Sequence, residues 1–132
     1  MVIDSSALVA ILLKEPGWER LARAIEAAEV RFVASATLLE TAIVIEARKG
    51  PQGGDDLDLF IFRTGTEIVP IDSAQIEAAR IGWRRFGKGN HGAALNLGDL
   101  FAYALAKGTG LPLLFKGGDF AKTDIVPALP SR

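Results

Sequence analysis

Cysteine is absent from this 132-residue chain, which excludes disulfides, thiolate zinc sites and cysteine nucleophiles. A single histidine, His91, cannot build a histidine-rich metal centre. No apolar run reaches membrane-spanning length, and the apolar start of the chain carries no basic leader and is broken by Asp4. A soluble cytoplasmic protein with no membrane partner is therefore expected. Strong charge of one sign is missing too. The net charge is −1 and the pI is near 5.8, so any nucleic-acid contact must come from a local basic patch rather than from the field of the whole molecule. Residues 1–66 sum to −3 and residues 67–132 to +2.

The apolar fraction of 49% argues for a folded globule, and the length for one domain spanning 1–132. Val2-Ile3 reads as a buried strand that delivers Asp4 to the first turn of a helix from Ser5 to about Leu13, which Pro16-Gly17 ends. Trp18, Leu21, Ala22, Ile25 and Ala28 share one face of a second helix. Arg31 to Ala34 is a strand, with Ser35 as N-cap of a helix reaching Lys49 and Gly50-Pro51-Gln52-Gly53-Gly54 closing it. Asp55 to Arg63 reads as a helix whose two leading aspartates suit the positive end of its dipole. Its apolar residues exceed one stripe: Leu57, Phe60 and Ile61 can face a core, and Leu59 and Phe62 on another side fit either a partner interface or a helix buried all round.

Glu67 to Ile71 is the next strand, and Asp72 caps a helix in which Ile76, Ala79, Trp83 and Phe86 recur at core spacing. Trp18 and Trp83 are both expected to pack inside. A glycine-rich loop from Gly87 to Asn96 precedes a helix opened by Gly98-Asp99 and ended by Gly108 and Gly110. Pro112 to Phe115 is the last clear strand, and Ile125-Val126 an edge strand. Strands alternating with helices predict an α/β domain with a mostly parallel sheet of four or five strands covered on both faces.

Sites in such sheets lie at the carboxyl ends of the strands. Asp4 and Asp119 leave two strands there, and Glu40 leans back toward the same rim from the second turn of its helix. Asp99 requires the chain to return from the far edge, which a loop of roughly ten residues, extending about 30 Å, allows. Four carboxylates together repel unless a cation sits between them. Oxygen-only ligands select Mg²⁺ or Mn²⁺ over zinc, and phosphodiester hydrolysis is the reaction that best suits such a site. Ser6 is placed to hydrogen-bond a carboxylate. Arg80, Arg84, Arg85, Lys88 and His91 bracket the long loop, with Lys107, Lys116 and Lys122 elsewhere in the basic half; Arg85, Lys88, His91 and Lys116 are the candidate RNA contacts.

Asp4-Ser5-Ser6-Ala7-Leu8, Leu39-Glu40-Thr41-Ala42, Asn96-Leu97-Gly98-Asp99 and Leu114-Phe115-Lys116-Gly117-Gly118-Asp119-Phe120 resemble, in order, the four acidic motifs of PIN-domain ribonucleases. The likeness is to the VapC toxins of VapBC toxin–antitoxin modules, where Thr123-Asp124 also matches a recurring ending. It implies a PIN-like three-layer α/β/α fold and a Mg²⁺- or Mn²⁺-dependent endoribonuclease cutting structured RNA such as tRNA or rRNA. It also implies a homodimer and inhibition by a VapB-like antitoxin. Asp4, Glu40, Asp99 and Asp119 carry over as metal ligands and catalytic acids, with Ser6 and Asp124 in support. Gly118 departs from the asparagine of many relatives. Two rival readings are a receiver-like phosphoacceptor, which leaves Glu40 and Asp99 without roles, and a PIN-like module that binds RNA or a partner without cutting.

Overall fold

Alternation along four short strands sorts the apolar side chains into two layers. The computed structural model describes residues 1–130, in which β1 (Val2–Ile3), β2 (Phe32–Ala34), β3 (Glu67–Val69) and β4 (Leu113–Leu114) form one parallel sheet in the order β3-β2-β1-β4. Val2, Ala34 and Leu113 point into one core, and Ile3, Val33 and Leu114 into the other. The inner strands β1 and β2 and the edge strand β4 are buried on both faces, whereas the other edge strand, β3, is largely exposed, with Ile68 open to solvent.

Helices α1 (Ser5–Leu12), α2 (Trp18–Ala27), α3 (Ser35–Lys49) and α4 (Pro51–Thr64) cover the second face, with Leu8, Ile25, Leu57 and Ile61 at its centre. Helices α5 (Ser73–Phe86) and α6 (Leu97–Thr109) cover the first, packed around Tyr103, Phe86 and Leu95. The result is the expected three-layer α/β/α sandwich. No helix among the described residues is long and apolar enough to cross a membrane.

Several local expectations are corrected. Ala34, not Ser35, is the residue before the first turn of α3, and no side chain caps it. The stretch Gly50 to Gly54 does not separate two helices, because α4 already begins at Pro51. Proline is compatible with that position, where its missing N–H would have no partner anyway, and Asp55 and Asp56 consequently lie beyond the first turn. Ile76 and Trp83 are about half exposed, so only Phe86 of the α5 series is fully buried. Trp18, by contrast, packs against the second core. Ile125-Val126 forms no strand, and a single bridge of Leu113 to Pro127 takes its place.

The largest difference concerns residues 87–96. Lys88 N–H donates to Leu95 C=O at 2.8 Å and Leu95 N–H to Phe86 C=O at 2.9 Å, so the loop is closed at its base rather than stretched across the molecule. The end of α5 lies beside the start of α6, and α5 itself brings the chain to the place from which Asp99 projects.

Asp124 clamps this face together. Its Oδ1 accepts from the Tyr103 hydroxyl at 2.9 Å, and its Oδ2 faces Lys107 Nζ at 3.0 Å and Arg85 at 3.2 Å. The Lys107 and Tyr103 hydrogen bonds and the two cations hold its carboxyl below the ordinary range against the opposing effect of burial. Asp124→Ala would leave the Tyr103 hydroxyl without its partner, which is expected to cost about 1–3 kcal/mol. Urea unfolding reads this directly, and an unchanged midpoint would mean that the clamp contributes nothing.

Candidate active site

Asp4 is the residue on which the carboxyl rim of the sheet is built. Its backbone N–H donates to Leu114 C=O at 2.9 Å, which ties the end of β1 to the end of β4. Its side chain caps α1: Oδ2 accepts from Ser6 N–H at 3.0 Å and from Ser6 Oγ at 2.6 Å. Ser6 Oγ in turn accepts from Lys116 N–H at 2.9 Å, which fixes the hydroxyl as the donor toward Asp4. The residue is 2% exposed, and its other oxygen, Oδ1, is buried without a hydrogen-bond partner. Burial, with smaller contributions from Asp99 and Glu40, pushes its carboxyl up to about 6 despite the two Ser6 hydrogen bonds.

Asp99 stands in the first turn of α6. It completes a reciprocal capping box in which Asn96 Oδ1 accepts from Asp99 N–H at 3.1 Å and Asp99 Oδ2 accepts from Asn96 N–H at 3.0 Å. One carboxylate oxygen is thereby engaged in the fold. Burial raises its pKa above the ordinary value, with Asp119 and Glu40 adding to the rise and the Asn96 hydrogen bond opposing it. Glu40 reaches the rim from α3, where its carboxylate lies so close to Gly98 that any Cβ there would overlap it. Asp119 is exposed at the turn after β4, just before a short 3₁₀ turn, Phe120–Lys122, whose Phe120 is anchored in the core.

The four acids thus occupy one neighbourhood in which Asp119 and Glu40 act on Asp99, and Asp99 and Glu40 on Asp4. The tighter expectation, convergence on one ion, is not realised in advance: among the described residues no three carboxylate or imidazole groups form a ready metal cluster. Mg²⁺, which takes one or two carboxylates and keeps its waters, does not need a closed cage. The donor set fits a hard divalent cation. All of it is oxygen, and a buried carboxylate oxygen that nothing among the described residues satisfies calls for a positive partner.

The other candidates are placed less simply. Lys116 Nζ pairs with Glu15 at 3.1 Å, and Arg85 is taken up by Asp124 and lies over the Phe86 ring. His91 is turned to its own loop, where Nδ1 accepts from Ala93 N–H at 2.9 Å and the ring meets Phe86 edge-on. Lys88 is exposed and has no ion pair among the described residues. Asp124 serves the α5–α6 clamp rather than the rim. Sequence reasoning missed Asn96, although the spacing Asn96-x-x-Asp99 is a capping-box signal. It also missed the Lys116 N–H that orients Ser6, for which no local signal exists.

Comparison with known proteins adds to this geometry. Residues 1–126 match the PIN domain family. Over 131 residues the chain is 53% identical to ribonuclease VapC30 of Mycobacterium tuberculosis, covering 98% of this chain and 100% of that protein. The crystal structure of Mycobacterium tuberculosis VapC20, described as a sarcin-ricin loop cleaving toxin, aligns with a TM-score of 0.79 at 17% identity over 98% of each chain. VapBC2 from Rickettsia felis, bound to a DNA fragment from its promoter, aligns with a TM-score of 0.74 at 16% identity, covering 97% of this chain and 93% of that one. At those identities the two structures speak for the fold.

In the absence of a cation, ionising Asp4 costs stability. Its folded pKa of about 6 lies above the ordinary 3.8, so its contribution is complete below the lower value and is lost as pH rises through the upper one. In EDTA, Asp4→Asn is expected to be more stable than the parent at pH 7 by up to about 3 kcal/mol, an advantage that vanishes near pH 4. Urea unfolding at the two pH values tests this, and equal stabilities at pH 7 would show that the carboxylate is not penalised by its surroundings.

Proposed function

Because the chain belongs to the PIN-domain family, and within it to the VapC ribonucleases, we propose that it is a divalent-metal-dependent endoribonuclease, the toxin of a VapBC toxin–antitoxin module, cutting structured RNA such as tRNA or rRNA. The observation that carries this reading is the acidic rim itself: coupled carboxylates around a buried, unpartnered Asp4 oxygen at the carboxyl end of a parallel sheet. Asp4, Glu40, Asp99 and Asp119 are the residues that hold Mg²⁺ or Mn²⁺. A divalent cation there supplies positive charge for the scissile phosphate and lowers the cost of deprotonating the attacking water.

The chain's own groups supply orientation. Ser6, steadied by Lys116 N–H, keeps Asp4 Oδ2 engaged and leaves Oδ1 without a hydrogen bond among the described residues. Asn96 does the same for one oxygen of Asp99, and the bare backbone at Gly98 gives Glu40 room beside it. Asp119, exposed on its turn, can follow the substrate. In-line attack of water on phosphorus breaks the bond to the 3′ oxygen, leaving a 5′-phosphate and a 3′-hydroxyl.

A homodimer and a VapB-like antitoxin complete the proposal. Leu39 and Ile43 on α3 and Leu59 and Phe62 on α4 are exposed, Phe62 to 83%, and such apolar surface supports a protein partner. The PIN-domain match displaces the receiver-like alternative. A non-catalytic module would have no use for the penalty of burying Asp4 among other acids.

Cleavage of a structured RNA is expected to require Mg²⁺ or Mn²⁺, to stop in EDTA and to leave 5′-phosphate ends. Asp4→Ala and Asp99→Asn are each expected to lower the rate roughly 10²–10³-fold. Mapping of the new 5′ ends and single-turnover rates make the measurement, and a 2′,3′-cyclic phosphate product would overturn the proposal.

A further inference from the structure

Beside the acids, between α5 and the start of α6, lies a groove of about 520 Å³ that none of the roles above uses. Its walls include Ile76, Trp83, Leu97 and Phe101, and among the described residues its charged lining consists of Arg80 and Lys88. Trp83 is 49% exposed and Leu97 72%. We propose that this groove is a nucleobase subsite: it takes an unpaired base of the RNA next to the scissile phosphodiester, with Trp83 as the stacking surface and Lys88 and Arg80 at the adjoining phosphate.

Three observations carry the subsite. It touches the acidic rim through Asn96, which lines the groove and exchanges two hydrogen bonds with Asp99, so a strand lying in it passes beside that carboxylate. Its aromatic surface is held in place. The indole of Trp83 lies so close to Gly87 that a Cβ at 87 would overlap its Cδ1, and the Gly87 backbone, at φ −69°, does not itself demand glycine. Glycine leaves room there both for the ring and for the Trp83 carbonyl oxygen, which a Cβ would overlap equally and which accepts from Gly87 N–H at 2.8 Å. Finally, the two charged residues that line the groove, Arg80 and Lys88, are both basic. Lys88 has no ion pair among the described residues, and Arg80 has only an exposed contact with Glu77 at 3.6 Å.

An aromatic face flanked by cations is the arrangement that binds single-stranded nucleic acid with little regard to sequence. The same charges argue against self-association through this surface. In a two-fold contact the patch would meet its own copy, and Arg80 and Lys88 would face like charge without an acid in the lining to offset it.

The subsite presupposes the ribonuclease reading, and the test separates the two. In an Asp119→Asn background with EDTA, Trp18→Phe leaves Trp83 as the one tryptophan. The protein is titrated with a single-stranded RNA of about ten nucleotides, followed by Trp83 emission and by anisotropy of an end-labelled copy. Quenching with the same midpoint as the anisotropy is expected. Trp83→Ala should weaken binding roughly 5- to 100-fold and Trp83→Tyr, which keeps a stacking ring, much less. RNA bound with unchanged Trp83 emission would remove the subsite and leave the nuclease standing. Loss of oligomer on sedimentation of Trp83→Ala would make the groove a protein interface and also overturn it. Absence of RNA binding in every variant, together with absence of cleavage by the parent protein, would remove both.

Discussion

Bringing acids together at the buried end of a parallel sheet is unfavourable, and the molecule is arranged around that cost. Asp4 is almost wholly removed from water, and one of its oxygens has no partner. A fold selected only for stability would place an apolar residue or a fully bonded cap there. Here the carboxyl is pushed toward neutrality by burial, with neighbouring acids adding to the effect. Such a site is poised to gain stability from a cation, since ligand binding and folding draw on the same free energy.

The supporting structure limits the cost without removing it. Each inner carboxylate has one oxygen tied into the fold, Asp4 through Ser6 and Asp99 through the Asn96 capping box. Both arrangements place the acid at the start of a helix, where the backbone N–H groups favour negative charge. The acids are therefore held at fixed positions by helix caps that would exist in some form in any helix, and the remaining oxygens are left for chemistry. Glu40 and Asp119 arrive by different routes, one over a glycine and one on an exposed turn. A rim with two anchored and two less constrained acids can accept a hard cation together with its waters and a phosphate.

Much of this was legible in the chain. The β-branched pair before Asp4, the helical spacing after Trp18 and the capping aspartate at 72 each rest on a local rule, and each appears in the structure. Errors cluster where a local rule competed with a longer-range one. Glycines at 53 and 54 read as a break, yet α4 runs through them because its later turns, Leu57 and Ile61, are fixed in the core. The loop after Gly87 was expected to span the molecule, but it closes on itself because α5 and α6 lie side by side over Tyr103. Trp83 has core spacing and is still about half exposed, because it lines the open groove between α5 and the start of α6. Candidate cations were the least legible group: Arg85 and Lys116 are matched with Asp124 and Glu15, acids far away in the sequence.

Residue types and their periods fixed the alternation of strand and helix, the parallel sheet and the four acids at strand and helix ends, because those features follow from interactions a few residues apart. Which acids come to stand beside one another, which lysine is neutralised and which aromatic is left uncovered depend on atoms brought together from distant segments. Packing alone sets those distances, and no short-range pattern encodes them.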